Sequence, residues 1–295
     1  MSINVIYKTL KSDKLIEIDD KKREIIQNEL IYMMRDLNEF LVSNNIRYSL
    51  GGGSMLGAVR HQGFIPWDDD IDVNMEREEF DRFYSLFNDS SLSDKYELII
   101  PGDKNYYYHF PRLMKKNTQY RTIQDLESDK VGLPIDIFIL DNLPDNILLK
   151  YIHGILSTGL LYVGTSIRTH RIKGQLEELG LDKRYYKKIL ARTIFAPIIN
   201  CIHYTKWFKF MDSVFGMFKT SKKGKSVVIP SGRKHFWGEI YSREKLITLK
   251  ERKFDKEFFS TYSDEKYYLG KLYGDYMRIP DQSKREKHSI LGLTI

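Results

Sequence analysis

Cysteine is nearly absent: Cys201 is the only one in 295 residues. That rules out a disulfide framework and a cysteine-built zinc site, and it fits a reducing compartment. The opening residues, Met1-Ser2-Ile3-Asn4-Val5-Ile6-Tyr7-Lys8, hold no long apolar core before charge arrives. No signal peptide is therefore expected, and the chain reads as cytoplasmic. No internal repeat or low-complexity tract is present, which sets aside repeat arrays and extended disordered tails. What remains is a chain whose 42% hydrophobic content can bury one large core or two modest ones.

Charge is unevenly spread. The net +7 conceals 18 Lys/Arg against 26 Asp/Glu over residues 1–145, a net −8. Residues 146–295 carry 29 against 14, a net +15. The basic half should attract something anionic.

The most informative segment is Gly51-Gly52-Gly53-Ser54-Met55-Leu56-Gly57-Ala58-Val59-Arg60, with Pro66-Trp67-Asp68-Asp69-Asp70-Ile71-Asp72-Val73 just after it. Ile46–Leu50 alternates like a short strand. A glycine run there lets backbone approach a ligand closely. Ser54 suits a helix N-cap, and Met55, Leu56 and Val59 suit a buried helix face, so free N–H groups would point at an anion.

If Ile71 and Val73 enter a core from a strand, Asp70 and Asp72 share the other face. Two like charges so close call for a cation, and Mg²⁺ (or Mn²⁺) prefers such hard oxygen ligands. Asp136 interrupts the apolar run Leu133–Leu140 and offers a third carboxylate from a neighbouring strand. Three such groups could hold one metal, or two about 4 Å apart, the arrangement that clamps a phosphoryl displacement. A solvated Asp-rich turn is disfavoured by the flanking Ile, Val, Pro and Trp. An EF-hand loop counted from Asp68 would need glycine where Val73 stands, and no helix can run through Pro66-Trp67 before it. For Asp136, a backbone-bonded structural aspartate is the alternative.

The block 51–72 resembles the signature of LicD-type phosphotransferases, a branch of the nucleotidyltransferase superfamily. The resemblance continues in Phe110-Pro111-Arg112, Ile135-Asp136-Ile137-Phe138, Leu272-Tyr273-Gly274-Asp275-Tyr276-Met277, Pro280 and His288. It is dense at 46–82 and thin at 146–260. It implies transfer of a phospho-alcohol, such as phosphocholine or glycerol phosphate, from a CDP-alcohol donor to a cell-surface glycan or its lipid-linked precursor, with CMP released. By position, Gly52, Gly53 and Ser54 become the phosphate loop, and Asp70, Asp72 and Asp136 the metal ligands. Asp136 is the candidate for assisting deprotonation of the acceptor, with Asp69 in reserve.

Other residues carry two readings each. Arg60 and Arg112 are candidates for donor-phosphate contact or ordinary surface groups. Tyr106-Tyr107-Tyr108-His109-Phe110 could stack on cytosine or cage a choline cation, or form an aromatic strand edge. His288 reads either as a phosphate contact or acid/base group or as a plain tail histidine, and Asp275 either as a ligand or as a turn or cap residue.

Periodicity gives helices at 19–44, 76–88, 146–169, 183–219 and 264–274, with strands at Asp70–Val73, 96–100, 106–114 and 133–139. Lys219–Ser226 reads as an exposed loop. The expected fold is α/β (α+β): a nucleotidyltransferase-like small mixed sheet flanked by helices, with a basic helical appendage. The division is 1–145 as catalytic core, 146–230 as basic helical subdomain, and 231–295 completing the catalytic domain. Helices 146–219 mix apolar residues with lysines, and read either as a packed subdomain or as helices at the surface of an anionic membrane. No nucleic-acid partner is expected. Two rival functions are nucleoside monophosphate transfer from a triphosphate and a non-catalytic glycan-binding scaffold.

Overall fold

The computed structural model describes residues 12–180, 187, 193, 203–282, 285 and 290–295. Met1–Lys8, Cys201, His288 and most of the expected helix across 183–202 lie outside the described residues.

Helix α1 (Asp20–Ser43) starts where the Asp19 carboxylate accepts the Lys22 N–H at 2.8 Å. Its Ile26, Leu30, Met33, Met34, Leu37 and Leu41 recur at helical spacing and are buried. Strand β1 (Ser49–Leu50), helix α2 (Gly52–Arg60) and strand β2 (Asp72–Glu76) follow, then helix α3 (Arg77–Phe87), β3 (Tyr96–Ile99), β4 (Arg112–Lys115) and β5 (Gln119–Thr122). Strand β6 (Pro134–Leu143) is the longest and the spine of the sheet.

The order is β1-β2-β6-β4-β3, with β2 and β6 parallel and the remaining pairs antiparallel. The far end of β6 pairs with β7 (Ser226–Val228), which pairs with β8 (Ile240–Ser242), so one curled mixed sheet serves both halves of the sequence. The β2–β6 register sets Asp72 opposite Asp136. This pairing positions the site.

Between these strands run helices α4 (Ile147–Glu178) and α5 (Tyr204–Phe215). Their attachment to the sheet is polar. The Arg77 guanidinium donates to both Asp141 oxygens, at 2.8 and 3.0 Å, and to Asp212 of α5 at 3.0 Å. Asp141 is fully buried on β6, and an unpaired charge there would be costly, so the arginine serves sheet and helix together.

Beyond β8, a hairpin of β9 (Leu249–Phe254) and β10 (Glu257–Tyr262) precedes α6 (Glu265–Tyr273), and β11 (Ile290–Thr294) pairs with β5. Asp255 turns the hairpin with a φ of 56°.

Several expected boundaries shift. The strand expected over 106–114 is limited to Arg112–Lys115, and Tyr106, Tyr107 and Tyr108 form a buried loop before it. Helix α4 runs on past 169 to Glu178. The strand expected at Asp70–Val73 begins at Asp72.

Candidate functional site

The loop leading into β2 is gripped on both sides of Asp72. Its N–H donates to Ser54 Oγ at 2.8 Å, and its carbonyl accepts the Gly51 N–H at 2.8 Å. The helix cap is therefore Gly51, and Ser54 is the third helical residue rather than the N-cap its side chain suggested. A glycine cap leaves no side-chain signal, and the Ser54 hydroxyl is used to hold β2.

Gly52, with φ +42°, lies in the left-handed region. A Cβ there would collide with the Asp72 carboxylate. The Gly52 N–H donates to the Tyr268 hydroxyl at 3.0 Å, and Asn74 Nδ2 donates to the same oxygen at 3.0 Å. Helix geometry supplies no carbonyl to the N–H groups of Gly53 and Ser54, which leaves them as first-turn anion donors. The Asp68 carboxylate comes within 2.8 Å of where a Gly53 Cβ would stand.

Gly52, Gly53, Asp68, Asp72, Asn74 and Tyr268 line a cleft of about 510 Å³, a volume suited to a nucleotide-sized ligand. Its floor is acidic, with Asp68, Asp70 and Asp72, and arginines stand around it: Arg60, Arg233, Arg278 and Arg285. Arg60 is fixed by donating to the Tyr276 carbonyl at 2.8 Å, and the Arg285 guanidinium sits 4.1 Å over the Trp67 ring. Asp275 also lines the cleft. The alternation expected around β2 holds: Ile71 and Val73 are buried while Asp70 and Asp72 face the opening.

Asp136 is placed beside Asp72 but is engaged elsewhere. Arg112, its register partner on β4, donates to its two oxygens at 2.7 and 3.2 Å. The Tyr108 ring lies 3.6 Å from the guanidinium on its other side. Burial works to lower the Arg112 pKa, but the Asp136 charge carries it well above the ordinary arginine value. Arg112 is buried and absent from the cleft lining, so in this structure its partner is Asp136 and not an open phosphate position. The aromatic run likewise is interior: Tyr106, Tyr107 and Tyr108 are at most 4% exposed and offer no cage to a cation. Asp69 is buried too, accepting the Tyr120 hydroxyl at 2.7 Å.

Among the described residues no three acidic, imidazole or thiolate side chains converge on one metal position. Magnesium asks for less than that. It is commonly held by one or two carboxylates together with substrate phosphates and water. Asp70 and Asp72, hard oxygen donors beside a glycine turn that can receive phosphate, meet that donor set.

Sequence reasoning missed Glu239, Asn74 and Tyr268. Glu239 lines the cleft at 2% exposure, its Oε1 accepting the Lys234 N–H at 2.7 Å and its Oε2 the Tyr241 hydroxyl at 3.4 Å. Burial pushes its carboxyl up to about 7. Its only sequence signal was a single acid within the basic stretch 231–240. Asn74 was visible as a polar residue inside an apolar strand, whereas Tyr268 looked like one more core aromatic.

Residues 45–140 match the family described as "LicD/FKTN/FKRP, nucleotidyltransferase domain". Over 250 residues, 83% of this chain, the sequence is 27% identical to the lipopolysaccharide cholinephosphotransferase LicD of Haemophilus influenzae, covering 87% of that protein. The chain thus resembles LicD proteins both in this domain and along most of its length. Uncharacterized proteins of Rickettsia typhi and Rickettsia prowazekii match shorter segments, at 46% over 57 residues and 50% over 50. Those segments are 19% and 17% of this chain, and the chain spans only 18% and 19% of those two proteins. The LicD-matched domain holds the glycine turn, Asp68–Asp72, Arg112 and Asp136, while Glu239, Tyr268 and three of the four cleft arginines come from beyond it.

Proposed function

We propose that this LicD-type chain transfers a phospho-alcohol, with phosphocholine as the first choice, from a CDP-alcohol to a sugar hydroxyl of a lipopolysaccharide-type glycan or its lipid-linked precursor. The observation that carries the reading is the placement of Asp70 and Asp72 against a glycine-started helix in one nucleotide-sized cleft. The alignment of this chain along most of a cholinephosphotransferase supports phosphocholine as the group transferred.

In this reading the N–H groups of Gly53 and Ser54 bind a phosphate oxygen of the donor, and arginines such as Arg60 and Arg233 meet the remaining negative charge. Asp70 and Asp72 would hold Mg²⁺ (or Mn²⁺), which supplies charge neutralisation of the diphosphate when bound. Arg112 acts on Asp136 as a positioning residue, holding that carboxylate in line with Asp72. An acceptor hydroxyl forms the new O–P bond, the bond to the bridging oxygen breaks, and CMP leaves with the electron pair. The acceptor proton goes to a carboxylate. Both oxygens of Asp136 are taken up by Arg112 and the residue is absent from the cleft lining, so Glu239 is the better acceptor: it is buried, in the cleft, and fixed by two hydrogen bonds.

Two outcomes test this. Incubation with Mg²⁺ and CDP-choline, CDP-glycerol, CDP-ribitol or CDP-ethanolamine is expected to release CMP, fastest from CDP-choline. Pyrophosphate release from CTP, with no CMP from any CDP-alcohol, would establish nucleotidyl transfer instead. For Glu239, a base must be ionised to act, so kcat should rise with pH through about 7. Glu239→Gln should lower kcat by about 10²–10⁴-fold and flatten that limb. An unchanged pH profile in the variant removes Glu239 from proton transfer.

A further inference from the structure

The first turns of helix α4 are built inside out. Leu148, Tyr151, Ile152, Ile155 and Leu156 follow an i, i+3, i+4, i+7, i+8 stripe, the spacing of a buried face, yet each is 43–66% exposed. Over these first turns the face that packs is made of small and polar groups, with His153, Gly154 and Ser157 buried and His153 Nε2 3.1 Å from the Phe215 carbonyl, whereas further along Leu161, Ile167, Ile172 and Leu176 are buried in the ordinary way. Only 28% of the most apolar stretch of this helix is buried. A contiguous exposed apolar stripe of this kind marks an interaction surface.

The stripe is physically joined to the cleft. The Trp237 ring, 44% exposed, lies 5.5 Å from Tyr151, and a Cβ on Gly154 would collide with it. Two residues after Trp237 comes Glu239, and four before it Arg233, both lining the cleft. One short segment therefore touches the apolar stripe with one side chain and the candidate active site with two.

We propose that the α4 stripe, with Trp237, seats the protein on the surface of an anionic lipid bilayer. Charge selects this occupant. Lys206, Lys209 and Lys222, on and after the neighbouring helix α5, are exposed and make no ion pair among the described residues. The sequence from 146 onward carries the net +15. Anionic headgroups complement that charge, whereas a second copy would set lysine against lysine. The helix lies on the bilayer and does not cross it, because its other face is committed to α5 through His153 and to the Phe236 ring. Resting on the function proposed above, the arrangement keeps the lipid of a lipid-linked acceptor in the bilayer. Its sugar then reaches the cleft across residues 232–239.

Flotation of the full chain with vesicles of phosphatidylcholine, alone or mixed with phosphatidylglycerol, tests this. Wild type should co-float with the mixed vesicles, less so in high salt, and poorly with phosphatidylcholine alone. Leu148→Ser with Ile155→Ser should reduce recovery by at least about tenfold. Both side chains are exposed, so melting temperature and CMP release from a soluble donor should stay at wild-type values. Equal recovery of variant and wild type, or no flotation of either, overturns the proposal. So does a wild-type dimer in solution that the double variant converts to monomer. Flotation reads lipid contact without turnover, so it stands or falls separately from the CDP-alcohol assay.

Discussion

Asp72→Asn is expected to stop turnover and leave the fold in place. The backbone of Asp72 is held by the Ser54 hydroxyl and by the Gly51 N–H, and both bonds survive the substitution. The side chain lines the cleft beside the first turn of α2. Asparagine keeps the shape and removes the charge. If that charge helps to neutralise the donor diphosphate, several kcal/mol of transition-state stabilisation go with it, a loss of about three decades in kcat. CMP release from the preferred CDP-alcohol measures the loss, and an unshifted thermal melt confirms the fold. Turnover within about twofold of wild type would take Asp72 out of the mechanism.

Gly52→Ala should damage donor binding more than its single methyl suggests. Its φ of +42° is unfavourable for any residue with a Cβ, by about 1–2 kcal/mol. The new methyl also meets the Asp72 carboxylate, so relief of the clash has to move either the acid or the glycine turn. Titration calorimetry should show CDP-choline affinity down by about tenfold or more, each decade being about 1.4 kcal/mol. Gly174→Ala supplies the control, since a Cβ there meets nothing within 4 Å inside helix α4. That substitution should be neutral or slightly stabilising. Equal binding by the Gly52 variant and wild type would place the donor phosphates elsewhere.

What the sequence disclosed was local. Helix α1 and the β2 and β6 strands were legible because periodicity and alternation are written in neighbouring residues. The Asp72–Asp136 neighbourhood was legible because Asp136 stood out in an apolar run. What escaped was set by distant partners. Tyr268 reaches Gly52 across 216 positions, and nothing near either residue announces the contact. Arg112 looked available for phosphate because its partner lies 24 residues on, across an antiparallel pairing. The β9–β10 hairpin was hidden by charge: Lys250-Glu251-Arg252-Lys253 reads as a solvated stretch, and its turn uses Asp255 without the glycine that usually advertises one. Residues 106–111 misled in the opposite way, since an aromatic run with strand propensity is used as loop filling around Arg112.

The buried Arg77 clamp bears on how such a chain can change over time. A helical insert attached by apolar contact alone could drift, shrink or be exchanged for another. Here one guanidinium satisfies a sheet carboxylate at 1% exposure and a helix carboxylate on α5 together. Losing the helix strips one partner from a cation that the sheet still requires, and losing the arginine strands Asp141 in the interior. Sheet and helices are thus bound to a common fate, and the inserted helices should change by substitution sooner than by replacement.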